Sequence, residues 1–370
     1  MRILFVGGGT AGHINPAIAV ANHIKEKDPK AEILFVGTRQ GMESTLVPKQ
    51  GYEIQFIKIH GFKRSLSLKN IKTVAEIFDG VRRAKKIIKD FRPDIVMGTG
   101  GYVTGPVILA AALMKIPTLV HEANAYPGVT IRLLSRVSDV VALSMEEAAK
   151  FIPKAKRIEI TGNPVRPSIL ACDKKTAREK LGLSDKKVIL IFGGSLGAAK
   201  INSVCCDWIS SVANSEKYHI LMSTGKNNQY EKVIERFKEN EIDLEKYPML
   251  KVSEYIYDMD LALNAADLII ARSGGSVSEM TALGKAAILI PSPYVAGNHQ
   301  LHNARAVERS GGAVVITEDE LTKERLGDAV THIIENDELL KEMSEKSKSI
   351  GIVDSADRIH RILKEIAKIK

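Results

Sequence analysis

Arg272-Ser-Gly-Gly-Ser-Val-Ser-Glu279, running on to Pro291-Ser-Pro-Tyr-Val-Ala-Gly-Asn-His-Gln300, carries the densest structural signal in the chain. The apolar run Leu268-Ile269-Ile270 before it has the length and composition of a buried strand. Gly274 and Gly275 let backbone come close to a ligand. The serines, and the helix that begins after them, offer N–H groups to a phosphate. Glu279 falls about one turn into that helix, where a carboxylate can accept from a vicinal diol such as a ribose. A further strand over 287–290 ends in a Pro-rich loop carrying Asn298, His299 and Gln300. That loop reaches the carboxyl-end face on which open α/β sheets bind ligands. An anion cradle, a diol acceptor and an amide cluster together suit a sugar nucleotide. An ordinary strand–turn–helix followed by a polar loop is the competing reading, since Gly-Ser turns are common.

Strand, glycine loop and helix recur upstream. Residues 3–6 lead into Gly7-Gly-Gly-Thr-Ala-Gly-His13, whose Gly7-x-Gly9-x-x-Gly12 spacing matches a dinucleotide fingerprint. That fingerprint wants an acid at the end of the second strand to hold an adenosine ribose. Here the strand over 32–36 ends Gly37-Thr-Arg39, which counts against NAD and leaves NADP open through Arg39. His13 stands at the mouth of a helix over 14–27, where an imidazolium is disfavoured and a neutral base is suited. A capping or surface histidine fits equally well. Strands are expected at 54–57, 94–97, 139–142 and 157–160. The one over 94–97 opens into a second loop, Gly98-Thr-Gly-Gly-Tyr-Val-Thr-Gly105, and Leu119-Val120 leads to His121-Glu-Ala-Asn124. These polar side chains are expected to point into a ligand cleft at the strand end. Thr161-Gly-Asn-Pro-Val-Arg-Pro167 has the composition of a linker. After it the pattern restarts, with a strand at 188–192, the loop Gly193-Gly-Ser-Leu-Gly-Ala198 and a helix over 199–213. The last helix repeats Ile359, Ile362, Leu363 and Ile366 on one face.

Composition bounds the rest. A chain of 370 residues is long for one core, which predicts two domains. The net charge of +9 favours an anionic partner. Aromatic residues are few and not interleaved with the basic ones, which disfavours single-stranded nucleic acid. Cys172, Cys205 and Cys206 form neither a CxxC pair nor an even set, so reduced cytosol is expected, without disulfides or a zinc site. Met1–Val6 runs straight into a glycine loop and reads as a first strand, not a leader. The longest apolar run, near 107–114, is far short of the ~20 residues that span a bilayer, so a soluble or peripheral protein is expected. A long helix over 68–90 carries Ile71, Val74, Ile77, Phe78 and Val81 at core spacing. It also carries Lys69, Lys72, Arg82, Arg83, Lys85, Lys86 and Lys89. With Phe62-Lys-Arg64, Leu66, Leu68 and Leu113-Met-Lys115 it also reads as a basic amphipathic edge for an anionic membrane.

Gly7–His13 with Asn15-Pro16, Gly98–Gly105, His121–Asn124, Gly162-Asn-Pro-Val-Arg166, Gly193–Ala198, Arg272–Glu279 and Asn298-His-Gln300 fall in the order seen in the MurG family. These enzymes are UDP-N-acetylglucosamine:undecaprenyl-diphospho-muramoyl-pentapeptide N-acetylglucosaminyltransferases, and the resemblance covers essentially the whole chain. It implies a GT-B architecture: α/β, two Rossmann-like doubly wound domains with an inter-domain cleft. Residues 1–163 would form the acceptor- and membrane-facing domain and 164–352 the UDP-sugar domain. The helix at about 353–370 would pack back on the first domain. Thr10, Ala11 and Gly12 would meet the donor sugar and diphosphate, Asn124 and Arg166 would reach across the cleft, and Ser195 would bind diphosphate. Ile256 would read the uracil edge through its backbone, Glu279 the ribose and Gln300 the sugar hydroxyls. Three features depart from the family: Ala11 where glycine is usual, Ala123 where glutamine is more frequent, and an Arg272–Glu279 loop one residue shorter than in some members.

The resemblance implies an inverting displacement. The 4-hydroxyl of N-acetylmuramic acid in lipid I would attack C1 of UDP-N-acetylglucosamine and give lipid II, with His13 as base. Helix N-termini, Ser195 and Arg166 would take the leaving charge. No DxD-like acidic pair stands at a strand end, so neither cofactor nor obligatory metal is expected, and Mg²⁺ would at most stimulate. Expected partners are the donor, lipid I, an anionic membrane surface and cell-wall synthesis and division proteins, with no nucleic acid. The expected location is the cytoplasmic face of the cell membrane, as a peripheral protein. A UDP-N-acetylglucosamine 2-epimerase, another lipid glycosyltransferase, a nicotinamide oxidoreductase and a non-catalytic membrane scaffold are the rivals. The oxidoreductase leaves the second glycine-loop half unexplained, and the scaffold leaves the cleft motifs without purpose.

Overall fold

The computed structural model describes residues 1–59, 69–213 and 217–368, with side chains described over all of these except 69–75. It divides into two compact units, Met1–Val165 with Ile352–Lys370, and Arg166–Gly351.

The first unit runs β1 (Arg2–Val6), α1 (Ala11–Lys27), β2 (Glu32–Gly37), α2 (Glu43–Lys49), β3 (Glu53–Phe56), α3 (Lys69–Phe91), β4 (Ile95–Gly98), α4 (Thr104–Leu113), β5 (Thr118–Glu122), α5 (Val129–Leu134), β6 (Val140–Leu143) and β7 (Ile158–Ile160). Its seven strands are all parallel, in the order β3-β2-β1-β4-β5-β6-β7. Central strands such as Ile3-Leu-Phe-Val6 are apolar at every position because helices cover both faces. One face is closed by α1 (Ile14, Val20, Ile24), the other by α3 and α4 (Ala84, Ile88, Val107, Ile108).

The second unit runs α6 (Pro167–Leu170), α7 (Lys174–Leu181), β8 (Lys187–Phe192), α8 (Ala199–Val212), β9 (Tyr218–Ser223), α9 (Gln229–Glu239), β10 (Leu250–Ser253), α10 (Met259–Ala265), β11 (Leu268–Ala271), α11 (Ser276–Ala282), β12 (Ala286–Leu289), α12 (His299–Ser310), β13 (Ala313–Val315), α13 (Lys323–Ile334) and α14 (Asp337–Ser349). Its six parallel strands follow the order β10-β9-β8-β11-β12-β13. The final helix, α15 (Ser355–Ile366), belongs to the first unit. There Ile359, Ile362 and Leu363 join the core under α1, and Arg157 holds Glu365 through two hydrogen bonds of 2.6 and 3.1 Å.

Each sheet reverses direction once, between β1 and β4 in the first unit and between β8 and β11 in the second. Such switch points leave a crevice at the carboxyl ends of the strands. The loops that follow β1, β4, β8 and β11 are the four glycine-rich stretches read from the sequence.

One expectation about α3 needs revision. Phe78 is 73% exposed and shares the outer face with Arg82, Arg83, Lys85, Lys86 and Lys89, while Ala84, Ile87 and Ile88 face the core with Ile77 and Val81 against it. Phe78 stands four residues before Arg82 and seven before Lys85, a spacing that puts it on the face of the basic stripe. Phe62-Lys-Arg64, Leu66 and Leu68, and the side chains of Lys69, Ile71, Lys72 and Val74, lie outside the described residues.

Candidate active site

In the first unit the loops after β1 and β4 are pressed together. Gly8 N donates to Gly100 O at 3.3 Å, and Thr99 Oγ1 donates to the His13 carbonyl at 2.6 Å. Gly101 has φ +81°, and a Cβ there would sit 2.2 Å from the Gly8 carbonyl oxygen, so only glycine permits this approach. A Cβ on Gly100 would lie 2.7 Å from His13 Cδ2. His13 is the third residue of α1, after Thr10 as N-cap. Ala11 opens the helix and is not among the residues of positive φ, so its methyl group fits. His13 Nδ1 lies 3.1 Å from the Gly8 carbonyl and 3.4 Å from Thr10 Oγ1. A carbonyl only accepts, so the contact puts the proton on Nδ1 and makes Nε2 the basic nitrogen. Thr10 and Gly12 are exposed beside it.

The fingerprint loop does not present its amides as a dinucleotide site would. Gly9 N donates to Glu43 Oε2 at 2.9 Å, and Glu43 Oε1 accepts from Thr38 N and Thr38 Oγ1 at 2.8 and 2.7 Å. The protein's own carboxylate stands where the fingerprint would place a phosphate. Arg39, the residue that kept NADP open, lies with its guanidinium over the Phe56 ring, 5.0 Å from its centroid. Glu43 was invisible to sequence reasoning, because an isolated glutamate in a polar loop reads as solvated. The available signal was the pair of glycines around it, Gly37 and Gly41.

His121 and Glu122 depart from the cleft-facing placement expected of them. His121 and Glu122 are still part of β5 and fully buried, since the strand continues through them. His121 Nε2–H donates to the Gly162 carbonyl at 3.0 Å, and burial pushes its pKa down to about 4. Glu122 gathers the next loop, with Oε1 accepting from Asn124 N and Nδ2 at 3.0 and 2.9 Å and Oε2 from Gly128 N at 2.9 Å. Burial raises the Glu122 pKa, and the hydrogen bonds from Gly128, Asn124 and Ala123 oppose that rise. Asn124 is thus oriented by a buried carboxylate.

In the second unit the loop after β8 leaves Ser195 exposed at the N-terminus of α8, whose first turn has no acidic residue and no side-chain cap. It rests on the turn after β9: Lys226 N donates to Ser195 O at 3.2 Å, and a Cβ on Gly197 would strike the Thr224 carbonyl at 2.2 Å. An uncapped helix end beside flexible glycines suits an anion. Ile256 is half-buried between Tyr255 and the 87%-exposed Tyr257, whose rings meet edge to face at 5.1 Å.

Glu279 stands in the first turn of α11, and Arg166 Nε donates to its Oε1 at 3.0 Å. Two residues expected to serve different parts of a ligand are therefore joined to each other. Gln300 begins α12 instead of ending a loop, because Gly297 and Asn298 adopt left-handed conformations that start the helix early. Its Oε1 accepts from Ser292 N at 2.9 Å, and its Nε2 would lie 3.8 Å from a Cβ on Gly274. Ser273 Oγ donates to the Gln300 carbonyl at 2.7 Å, tying the two parts of the opening stretch together. Two details differ from the expected phosphate cradle. Val277 and Ser278 turn their amides toward the carbonyls of Gly274 and Gly275, at 3.2 and 3.3 Å. Arg272 is spent on the Ile290 carbonyl and Glu318.

Taken by itself, the second unit can bind an anion and accept from a diol, and the first holds an imidazole at a helix N-terminus. The chain matches the glycosyltransferase family 28 N-terminal domain over residues 3–143 and its C-terminal domain over 188–359. It is 46% identical to the UDP-N-acetylglucosamine--N-acetylmuramyl-(pentapeptide) pyrophosphoryl-undecaprenol N-acetylglucosamine transferase of Acetivibrio thermocellus, across 100% of this chain and 99% of that one. It is also 46% identical to the protein of that name from Caldanaerobacter subterraneus, across 99% and 100%. Among solved structures, MurG of Acinetobacter baumannii superposes with a TM-score of 0.81 at 29% identity, covering 98% of this chain and 99% of that one. Two parallel α/β units of GT-B type, sequence similarity over the full length and both domain matches agree: the chain belongs to glycosyltransferase family 28 and, within it, to the MurG family.

Proposed function

We propose that the chain transfers N-acetylglucosamine from UDP-N-acetylglucosamine to the 4-hydroxyl of the N-acetylmuramyl residue of lipid I, giving lipid II for peptidoglycan. The observation that carries this reading is the Arg166–Glu279 pair beside the Arg272–Glu279 loop, in a chain of this family. A carboxylate held by a guanidinium is oriented to accept both hydroxyls of a ribose. The Ser195 loop and the α8 N-terminus take the diphosphate, the Ile256 backbone the uracil edge and Gln300 the sugar hydroxyls. Thr10, Ala11 and Gly12 face the donor sugar, with Asn124 alongside.

His13 Nε2 takes the proton of the acceptor hydroxyl as its oxygen attacks C1 from the face opposite the diphosphate. The C1–O bond to UDP breaks in the same step, so an α-linked donor yields a β(1→4) product. Charge on the leaving diphosphate goes to the α8 N-terminus, Ser195 and Arg166. No metal is obligatory in this scheme and Mg²⁺ at most stimulates. The basic outer face of α3 attaches the protein peripherally to the cytoplasmic face of the membrane, where lipid I resides and cell-wall and division proteins gather. Among the described residues no helix is long and apolar enough to cross a membrane.

Equilibrium titration tests the donor half. UDP-N-acetylglucosamine and UDP should bind and compete, and NADPH should not. Binding of NADPH with no affinity for uridine nucleotides would return the reading to an oxidoreductase. A 2-epimerase is separated by its action on donor alone, without acceptor.

A further inference from the structure

We propose that Glu43 is a positioning residue that acts on His13 through a single peptide group; this rests on the reading of His13 as the base. The Gly8 carbonyl and the Gly9 N–H belong to one planar peptide unit. Glu43 Oε2 accepts from its N–H end at 2.9 Å, and His13 Nδ1 meets its carbonyl end at 3.1 Å. The sequence carboxylate, peptide, imidazole is a hydrogen-bonded chain in which each member polarises the next. It resembles a carboxylate–histidine pair with one amide inserted, and it fixes the same two things: ring orientation and the Nδ1–H tautomer.

Three features show that this carboxylate has a site prepared for it. Glu43 is 0% exposed, and ionised groups are buried only where donors meet them. Its second oxygen is anchored by Thr38 N and Thr38 Oγ1. Three glycines clear the space: a Cβ on Gly8 would lie 2.4 Å from Oε1, on Gly41 2.1 Å from Oε2, and on Gly37 2.4 Å from Cγ. A peptide between two glycines turns easily, so an unpinned Gly8–Gly9 plane would not hold an imidazole in one orientation. Glu43→Gln keeps the shape but must point an NH₂ group at either the Gly9 or the Thr38 donor.

The test is a double-mutant cycle on the full chain, with kcat and donor KM measured for wild type, Glu43→Gln, His13→Ala and the double variant. Loss of one charge-assisted bond predicts a kcat about 10- to 100-fold lower for Glu43→Gln, with donor KM within about threefold. In the His13→Ala background the same change should cost less than about twofold, because its route is gone. An equal cost in both backgrounds, or an unchanged kcat, would overturn the proposal. Thr38→Val serves as a folding control: it removes one donor to Glu43 but leaves the Gly9 bond. If at matched melting temperature it lowers kcat as much as Glu43→Gln does, Glu43 is merely structural. Imidazole ¹⁵N spectra give a readout independent of turnover. His13 should be the Nδ1–H tautomer in wild type and a mixture in Glu43→Gln, and identical spectra would refute the linkage. Near-normal turnover of His13→Ala would instead remove the base assignment, while the spectra still decide whether Glu43 reaches the ring.

Discussion

His121 should make the first unit sensitive to mild acid. It is fully buried, donates Nε2–H to the Gly162 carbonyl, and its pKa is lowered from 6.5 to about 4 by burial. In the unfolded chain the ring protonates near 6.5, while the folded chain resists until about 4. The stability this group contributes is therefore present above pH 6.5 and lost as pH falls toward 4. At 1.36 kcal/mol per unit, a gap of this size corresponds to about 3 kcal/mol. Glu122 works in the opposite sense, since its raised pKa costs stability as pH rises through it. Neighbours in a strand point to opposite faces, so the two contributions separate. The assay is calorimetric unfolding of wild type and His121→Gln, whose amide can keep the donor but cannot titrate. Between pH 7 and pH 4 the difference between the two proteins should shift by about 3 kcal/mol in favour of the variant, roughly 6–12 °C in the melting temperature of the first unit. Parallel curves for the two proteins across that range would mean that His121 takes up its proton as readily folded as unfolded.

Four further outcomes are expected. Glu279→Ala should raise donor KM about 10- to 150-fold through lost charged hydrogen bonds to the ribose. Its melting temperature should hardly move, because the half-exposed Arg166 partner contributes about 1 kcal/mol or less; an unchanged donor KM would remove Glu279 from the donor site. Gly101→Ala should cut turnover about 100-fold by pushing the Gly8 carbonyl, and with it His13, about 1 Å out of place. Gly51→Ala has a similar φ of +80° but open space around it, so it should cost only about 1–2 kcal/mol of stability and no turnover. Charge reversal at the exposed Arg82, Arg83, Lys85 and Lys86 should weaken binding to anionic vesicles by about 1 kcal/mol per residue. Undiminished vesicle binding would leave α3 as a solvated face.

The fold was legible because its signals are local. Fully apolar strands such as Val188–Phe192 and the glycine loops behind them announce a parallel, doubly wound sheet one segment at a time. Short polar helices such as α7 and α9 were passed over, since a few buried positions, Ala177 in one and Val233 and Phe237 in the other, leave little periodic trace. Around the site the limits are of another kind. Sequence gives the type of a side chain but not its surroundings, so His121 was placed in a cleft when the strand carries it into the core. Glu43 carries no signal in the sequence and Glu122 reads as a cleft residue, although each organises a loop. Arg166 and Glu279, 113 positions apart, were assigned to separate parts of a ligand, and only the fold brings them within 3.0 Å.

Incubating the enzyme with labelled UDP-N-acetylglucosamine and a lipid I analogue measures the transfer itself. Label should enter the lipid fraction through a β(1→4) linkage, with one UDP released per sugar transferred and none without acceptor. Release of UDP or a change in the sugar when the acceptor is absent, or no transfer when it is present, would contradict the account.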